Sequence, residues 1–171
     1  MPAVVCLLRA VNVGGHNKIG MEALRALFES LKLHHVQTYV QSGNVVLQTG
    51  EESLDPLARR IEDRIEGEFG FRPAVVLRTA EEMADAIARN PFAGRREIDP
   101  SRLVITFLAA EPTAEAREKV LRIETDPEEL HIHGREIFTY YPNGVSNAKL
   151  IFYTMMAEVG RFQWLTVLKT A

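Results

Sequence analysis

The sequence predicts an α+β fold with antiparallel sheets, built as two halves of one kind. Three observations lead there. Hydrophobic periodicity alternates between strand-like and helical in the order β-α-β-β-α-β across residues 3–78. A second run of similar order begins at Leu103. Between them, residues 93–100 (Ala-Gly-Arg-Arg-Glu-Ile-Asp-Pro) are polar and marked by Gly and Pro, as connecting segments are. That order is the split β-α-β, or ferredoxin-like, unit. Residues 1–92 are therefore read as an N-terminal ferredoxin-like half with an extra helix, and 93–100 as a linker. Residues 101–171 are a C-terminal ferredoxin-like half, altered at its C-terminal end.

Residues 3–9 form a strand with apolar side chains on both faces, which requires both faces of its sheet to be covered. A helix over 21–32 follows, its stripe being Met21, Leu24, Leu27, Phe28 and Leu31. Val36–Val40 and Val45–Gln48 are strands joined by the turn Gln41-Ser42-Gly43-Asn44. A second helix enters through Asp55-Pro56, buries Leu57, Ile61, Ile65 and Phe69, and stops at Gly70. Ala74–Arg78 is the fourth strand. Thr79 with Glu82 three residues on is a capping box for a third helix, which Pro91 ends. Then come a strand at Leu103–Ala109, a helix capped by Thr113, and a hairpin over 130–141 turning at Gly134-Arg135. A helix from Asn147 to about Val159 follows Ser146, and the tail 162–171 fits a strand or a short helix. Two such sheets should cover each other or a partner chain, which leaves a homodimer open.

The composition is that of an ordinary globular chain: 171 residues, 46% hydrophobic and 25% charged. A net charge of −3 argues against indiscriminate nucleic-acid binding. The charge is uneven, however. Residues 1–50 carry Arg9, Lys18, Arg25 and Lys32 against only Glu22 and Glu29, so this is the one basic part. Cys6 is the sole cysteine, expected buried, and no internal disulfide can form. No stretch nears the ~20 apolar residues of a membrane span, and Arg9 interrupts what would be a leader's apolar run. A cytoplasmic protein without a membrane partner is the expectation.

The chemistry concentrates in Arg9–Lys18. Gly14 and Gly15 allow left-handed backbone and close approach, and successive N–H groups in such a turn cradle anions. The helix start beyond adds a partial positive charge. Arg9, Lys18 and the amides Asn12 and Asn17 complete the set. In a split β-α-β sheet the first and third strands are antiparallel neighbours. The end of one and the start of the other then share an edge, which brings Gln41, Ser42, Gly43 and Asn44 beside Arg9 and Asn12. Plainer readings stand beside these: Gly-Gly simply turns the chain, and Gly-Asn serves a hairpin. The loop is neither a Walker A nor a GxGxxG motif, so no particular nucleotide follows. His131 and His133 share a strand face, but no third ligand has zinc spacing. His34-His35 sit at a helix exit, where a cation suits the dipole. No metal and no cofactor are implied.

Leu8-Arg9, Asn12-Val13-Gly14-Gly15, Asn17-Lys18, Met21, Leu24-Arg25, Tyr39 and Gln41-Ser42-Gly43-Asn44-Val45-Val46 together resemble a mainly bacterial family, domain of unknown function number 1697. The resemblance continues more loosely through Arg78-Thr79, Asn90-Pro91-Phe92, Phe107-Leu108, Lys149-Leu150 and Trp164 to Lys169. It implies a duplicated ferredoxin-like arrangement and brings no established activity. This chain departs from the family with Ala10 for the usual Gly and His16 for a common Lys. Residues 144–150 also lack the family's Arg and Ser before Lys149, and Arg161-Phe162-Gln163-Trp164 replaces Arg-Asn-Trp.

The reading that follows is binding of an anionic ligand (a phosphate-bearing metabolite, a nucleotide or RNA) at the edge formed by 9–18 and 41–44. RNA recognition on the sheet surface is disfavoured, because Val45-Val46-Leu47 offers no stacking aromatic. One alternative is an enzyme in which Arg9, Asn12, Gln41 and Asn44 polarise a small substrate, with Lys149 or Lys18 as acid–base group. Another is a regulatory or assembly module.

Overall fold

The computed structural model describes residues 1–39, 43–145 and, as backbone, 164–169. Two compact units divide the chain, Met1–Asp85 and Ala86–Ala171. Both contain an antiparallel four-stranded sheet, so the protein is of mixed α+β class.

In the first unit the elements are β1 (Ala3–Leu8), α1 (Met21–Ser30), β2 (His34–Tyr39), β3 (Asn44–Gln48), α2 (Leu54–Phe69) and β4 (Val75–Thr79). The sheet order is β2-β3-β1-β4. Its centre pairs Cys6 with Val45 on one side and with Leu77 on the other. Val4, Cys6, Leu8, Val45, Leu47, Val75 and Leu77 share one core with Leu24, Leu27 and Phe28 of α1 and Leu57, Ile61 and Ile65 of α2. On the opposite sheet face Leu7, Val76 and Arg78 are also buried. Burial pushes the Cys6 thiol up, so it stays a neutral packing group.

Local signals act at the element ends. Gly70 closes α2 in the left-handed region (φ 77°), its N–H donating to Glu66 O at 2.9 Å. Glu62, buried on α2, accepts from the Val75 amide at 3.0 Å and from Arg72 at 3.0 Å, which ties that helix to the start of β4. Helix α1 ends earlier than its stripe suggests. Lys32 adopts φ 60°, and β2 already begins at His34. His34 and His35 thus belong to a strand rather than to a helix exit, and the β2–β3 register shifts between His34 and Gln37.

Helix α3 (Ala80–Ala88) starts with the Thr79–Glu82 box formed in full. The Glu82 amide donates to Thr79 Oγ at 3.1 Å, and the Thr79 amide to Glu82 Oε2 at 2.9 Å. The second unit then has β5 (Leu103–Leu108), α4 (Ala114–Leu121), β6 (Glu129–His133), β7 (Glu136–Tyr140) and β8 (Trp164–Lys169), in the order β6-β7-β5-β8. All six residues of β5 are buried. Thr113 caps α4, accepting from the Ala116 amide at 3.1 Å. The tail is a strand over 164–169, while the helix expected over 147–159 lies outside the described residues.

The division between units falls within α3, ahead of the expected linker. Residues 93–100 belong to the second unit, and the segment around them is tied into it by side chains. The Phe92 ring meets His131 edge-on at 5.3 Å, and Arg95 grips Glu129 at 2.7 and 3.0 Å. Burial raises the Tyr141 phenol to about 12; the nearby Thr139 hydroxyl pulls the other way.

Candidate functional site

The stretch between β1 and α1 is a loop folded on its own backbone. Ala10, Asn12, Gly14, Gly15 and Asn17 all take positive φ, between 50° and 80°. Glycine and asparagine enter that region most readily. Gly14 and Gly15 are the two central residues of a tight turn closed by His16 N–H donating to Val13 O at 3.1 Å. Both central residues at positive φ is the primed-turn pattern. A Cβ at either glycine would meet nothing within 4 Å, so it is the left-handed backbone, not space, that favours glycine here, and the turn's surface stays open.

The two asparagines hold the loop. Asn12 donates through Nδ2 to Ile19 O at 2.9 Å and accepts the Ile19 amide on Oδ1 at 2.9 Å. Asn17 Nδ2 donates to Ala10 O at 3.0 Å, and the Asn12 amide donates to Asn17 O at 3.1 Å. These side chains therefore shape the site from within. Below the turn lies a cavity of about 340 Å³ lined by Asn12, Gly15, Lys18, Ile19, Gly20 and Met21. Gly20 is the N-cap of α1 and offers no side-chain acceptor, which leaves the helix's first amides uncapped by any side chain. Glu22 stands in that first turn. Lys18 is exposed at the rim.

The second loop reaches the first through Gly43. At φ 84° this residue needs glycine, and a Cβ there would lie 3.1 Å from Leu8 Cβ and 3.2 Å from Val11 Cβ. Asn44 pairs with Leu7, one position before Leu8 on β1. Its Oδ1 is buried and has no hydrogen-bond partner among the described residues. Arg9 is exposed, and its amide extends the β1–β4 ladder by donating to Ala74 O at 2.9 Å. Thus Arg9, Asn12, Gly14, Gly15, Asn17, Lys18, Gly43 and Asn44 all lie at one end of the sheet, in the loop after β1 or at the start of β3. Gln41, Ser42 and Lys149 lie outside the described residues.

One residue at this edge escapes a pattern-based reading. Tyr39 closes β2 opposite Asn44 and is 54% exposed. Its hydroxyl donates to Gln37 Oε1 at 3.1 Å. Sequence alternation alone cannot tell an exposed edge aromatic from a packed one; its place just before the Gln41–Asn44 turn was the available signal. Elsewhere, no group of three or more His, Cys, Asp or Glu side chains is placed to hold a metal ion among the described residues. His133 meets the Phe138 ring edge-on at 6.0 Å, and His131 packs on Phe92 as above. No helix among the described residues is long and apolar enough to cross a membrane.

Fold and site together define a mixed α+β protein with two antiparallel four-stranded sheets and, in the first unit, a cavity lined by the loop before α1 and the start of that helix. The chain belongs to the family described as "Protein of unknown function (DUF1697)", which matches residues 1–138. Among solved structures it is similar to the conserved bacterial protein SP0830 from Streptococcus pneumoniae, with 22% sequence identity and a TM-score of 0.74. That likeness covers 99% of this chain and 94% of the other, and what it shows is a common fold. No curated protein matches the chain.

Proposed function

We propose that this protein binds a phosphate-bearing anion at the edge formed by the 9–18 loop and the 43–44 turn. The observation that carries the reading is the cavity of about 340 Å³ between the Gly14-Gly15 turn and the N-terminus of α1, with Lys18 at its rim. Amides at a helix start and in a left-handed turn point donors at an anion, and the helix dipole adds to them. The charge agrees: residues 1–21 contain Arg9 and Lys18 and no Asp or Glu. Asn12 and Asn17 serve as positioning residues that fix the loop before the ligand arrives. Both units are read as ferredoxin-like halves of one duplication, a reading supported by the recurrence of one strand order, β2-β3-β1-β4 and β6-β7-β5-β8. On that reading only the first half keeps a glycine turn after its opening strand.

The test is calorimetric titration with inorganic phosphate, pyrophosphate and tripolyphosphate. Binding by at least one of them, weakened several-fold by Lys18→Ala, is the expected result. Absence of binding by all three, or binding indifferent to Lys18→Ala and Arg9→Ala together, overturns it.

A further inference from the structure

The first unit holds a second hollow, at the end of its sheet away from the glycine turn. The ladder fixes the two ends: Leu7 pairs with Asn44 near the turn, whereas Ala3 and His34 both pair with Gln48 at the far end. There a cavity of about 590 Å³ is lined by the end of α1, the Lys32-Leu33 link into β2, the Thr49-Gly50-Glu51 segment after β3 and Arg60 of α2. Its wall carries charge of both signs. Arg60 Nη1 donates to Glu51 Oε1 at 2.7 Å, a single bond that leaves Arg60 Nη2 and Glu51 Oε2 uncommitted among the described residues. Lys32 lines the same cavity and forms no ion pair among the described residues. It adopts φ 60° just past the helix, where glycine is the usual residue, so an ammonium is held at this wall on a backbone that does not favour a side chain. Thr49 is 2% exposed, and its Oγ1 accepts the Glu51 amide at 3.2 Å. No described residue accepts the hydrogen of that buried hydroxyl. The C-terminus of α1 adds a partial negative charge, and its last turn contains no basic residue.

Donors suited to an anion and acceptors suited to a cation thus share one cavity. A plain anion would use Lys32, Arg60 and Thr49 but would meet Glu51 and the negative end of the helix. A plain cation would meet Lys32 and Arg60. A molecule with both charges on neighbouring atoms uses the whole wall and leaves the Arg60–Glu51 bond in place. We infer that this cavity binds a small zwitterion of the α-amino acid type. Its carboxylate is taken by Lys32, Arg60 Nη2 and the Thr49 hydroxyl, and its ammonium by Glu51 Oε2 and the carbonyl end of α1. The site is separate from the anion-binding edge and does not rest on it.

The experiment screens the common L-amino acids on the full chain by protein-observed NMR titration at pH 7. Saturable binding of at least one, with a Kd at or below about 1 mM and shifts that include the Lys32 and Gly50 amides, is the expected result. The N-acetyl and the carboxamide derivatives of that amino acid each lack one charge, and both should bind about tenfold more weakly or worse. Lys32→Gly suits the backbone at that position, keeps the fold and should weaken binding about fivefold. Glu51→Gln separates the ligand classes by sign. A zwitterion loses its ammonium partner and binds about fivefold more weakly, whereas a plain anion binds more tightly once Arg60 is released and the acid is gone. Tighter binding by Glu51→Gln, or an N-acetyl derivative that binds as well as its parent, overturns the inference in favour of an anion. Binding whose shifts avoid Lys32 and Gly50, or no binding by any amino acid, overturns it outright. The phosphate titrations test the glycine-turn site separately, so either site can fail without the other.

Discussion

Ala10 is the residue at which this chain's loop carries most local strain. Its φ of 58° places a Cβ in the left-handed region, where an L-residue costs about 1–2 kcal/mol. The family resemblance points to glycine at this position. Part of the gain from glycine is offset by its greater freedom in the unfolded chain. Ala10→Gly should therefore raise unfolding stability by about 1 kcal/mol, read as a higher urea midpoint at unchanged slope. A neutral or destabilising result would mean that the loop does not adopt this backbone. Asn12 makes the opposite prediction. Its amide satisfies both backbone groups of the buried Ile19. Asn12→Ala leaves that pair without its partners and keeps a Cβ at φ 55°, at a cost of about 2–3 kcal/mol. Asn12→Asp retains the acceptor for the Ile19 amide and should lose distinctly less. Equal losses in the two variants would show that the Ile19 amide bond contributes little.

At the scale of elements, the segment before β5 is held by charge. Arg95 donates to both oxygens of Glu129 on β6, and also to Glu97 at 2.6 Å. These bonds from Arg95 hold the Glu129 carboxyl below its ordinary 4.5. Asp99 is lowered by the Ser101 hydroxyl and amide. A carboxylate with a folded pKa below its unfolded value contributes stability that is fully present above the unfolded value. That contribution disappears as pH falls through the folded one. The stability of the protein should accordingly decline below about pH 4.5, and Glu129→Gln should flatten part of that decline while lowering stability slightly at pH 7. Denaturant midpoints at pH 7, 5 and 4 measure both effects; an unchanged acid slope in the variant would remove Glu129 from the account. This segment also marks where the sequence stops being informative. Gly94 and Pro100 read as a linker because composition records backbone freedom, whereas the Arg95–Glu129 contact joins residues 34 apart in sequence. Local signals fared better: Gly70, the Thr79–Glu82 box and Thr113 each act within four residues, and each was legible. In the loop, sequence located the polar residues but not their direction. An asparagine bonded to its own loop and one facing a ligand are the same letter.

Over the whole molecule, net charge and local charge oppose each other. The chain carries −3, yet the residues leading into α1 hold Arg9 and Lys18, with Glu22 the first acid encountered. An anion is thus repelled weakly at long range and attracted at short range. The Debye length is about 30 Å at 0.01 M salt and about 8 Å at 0.15 M, so added salt screens the distant acids first. The short-range attraction, partly through fixed backbone dipoles, is screened less. Tripolyphosphate affinity should therefore fall only about three- to tenfold between these two salt concentrations, a weaker dependence than a site built of exposed lysines alone would show. Glu22→Gln removes the acid in the first turn of α1 and should tighten binding about two- to threefold at 0.01 M salt, with less effect at 0.15 M. Titrations of the parent and the variant at both concentrations decide the matter. If Glu22→Gln leaves affinity unchanged at low salt, the anion is not bound at the start of α1, and the cavity beneath the glycine turn is not where the phosphate sits.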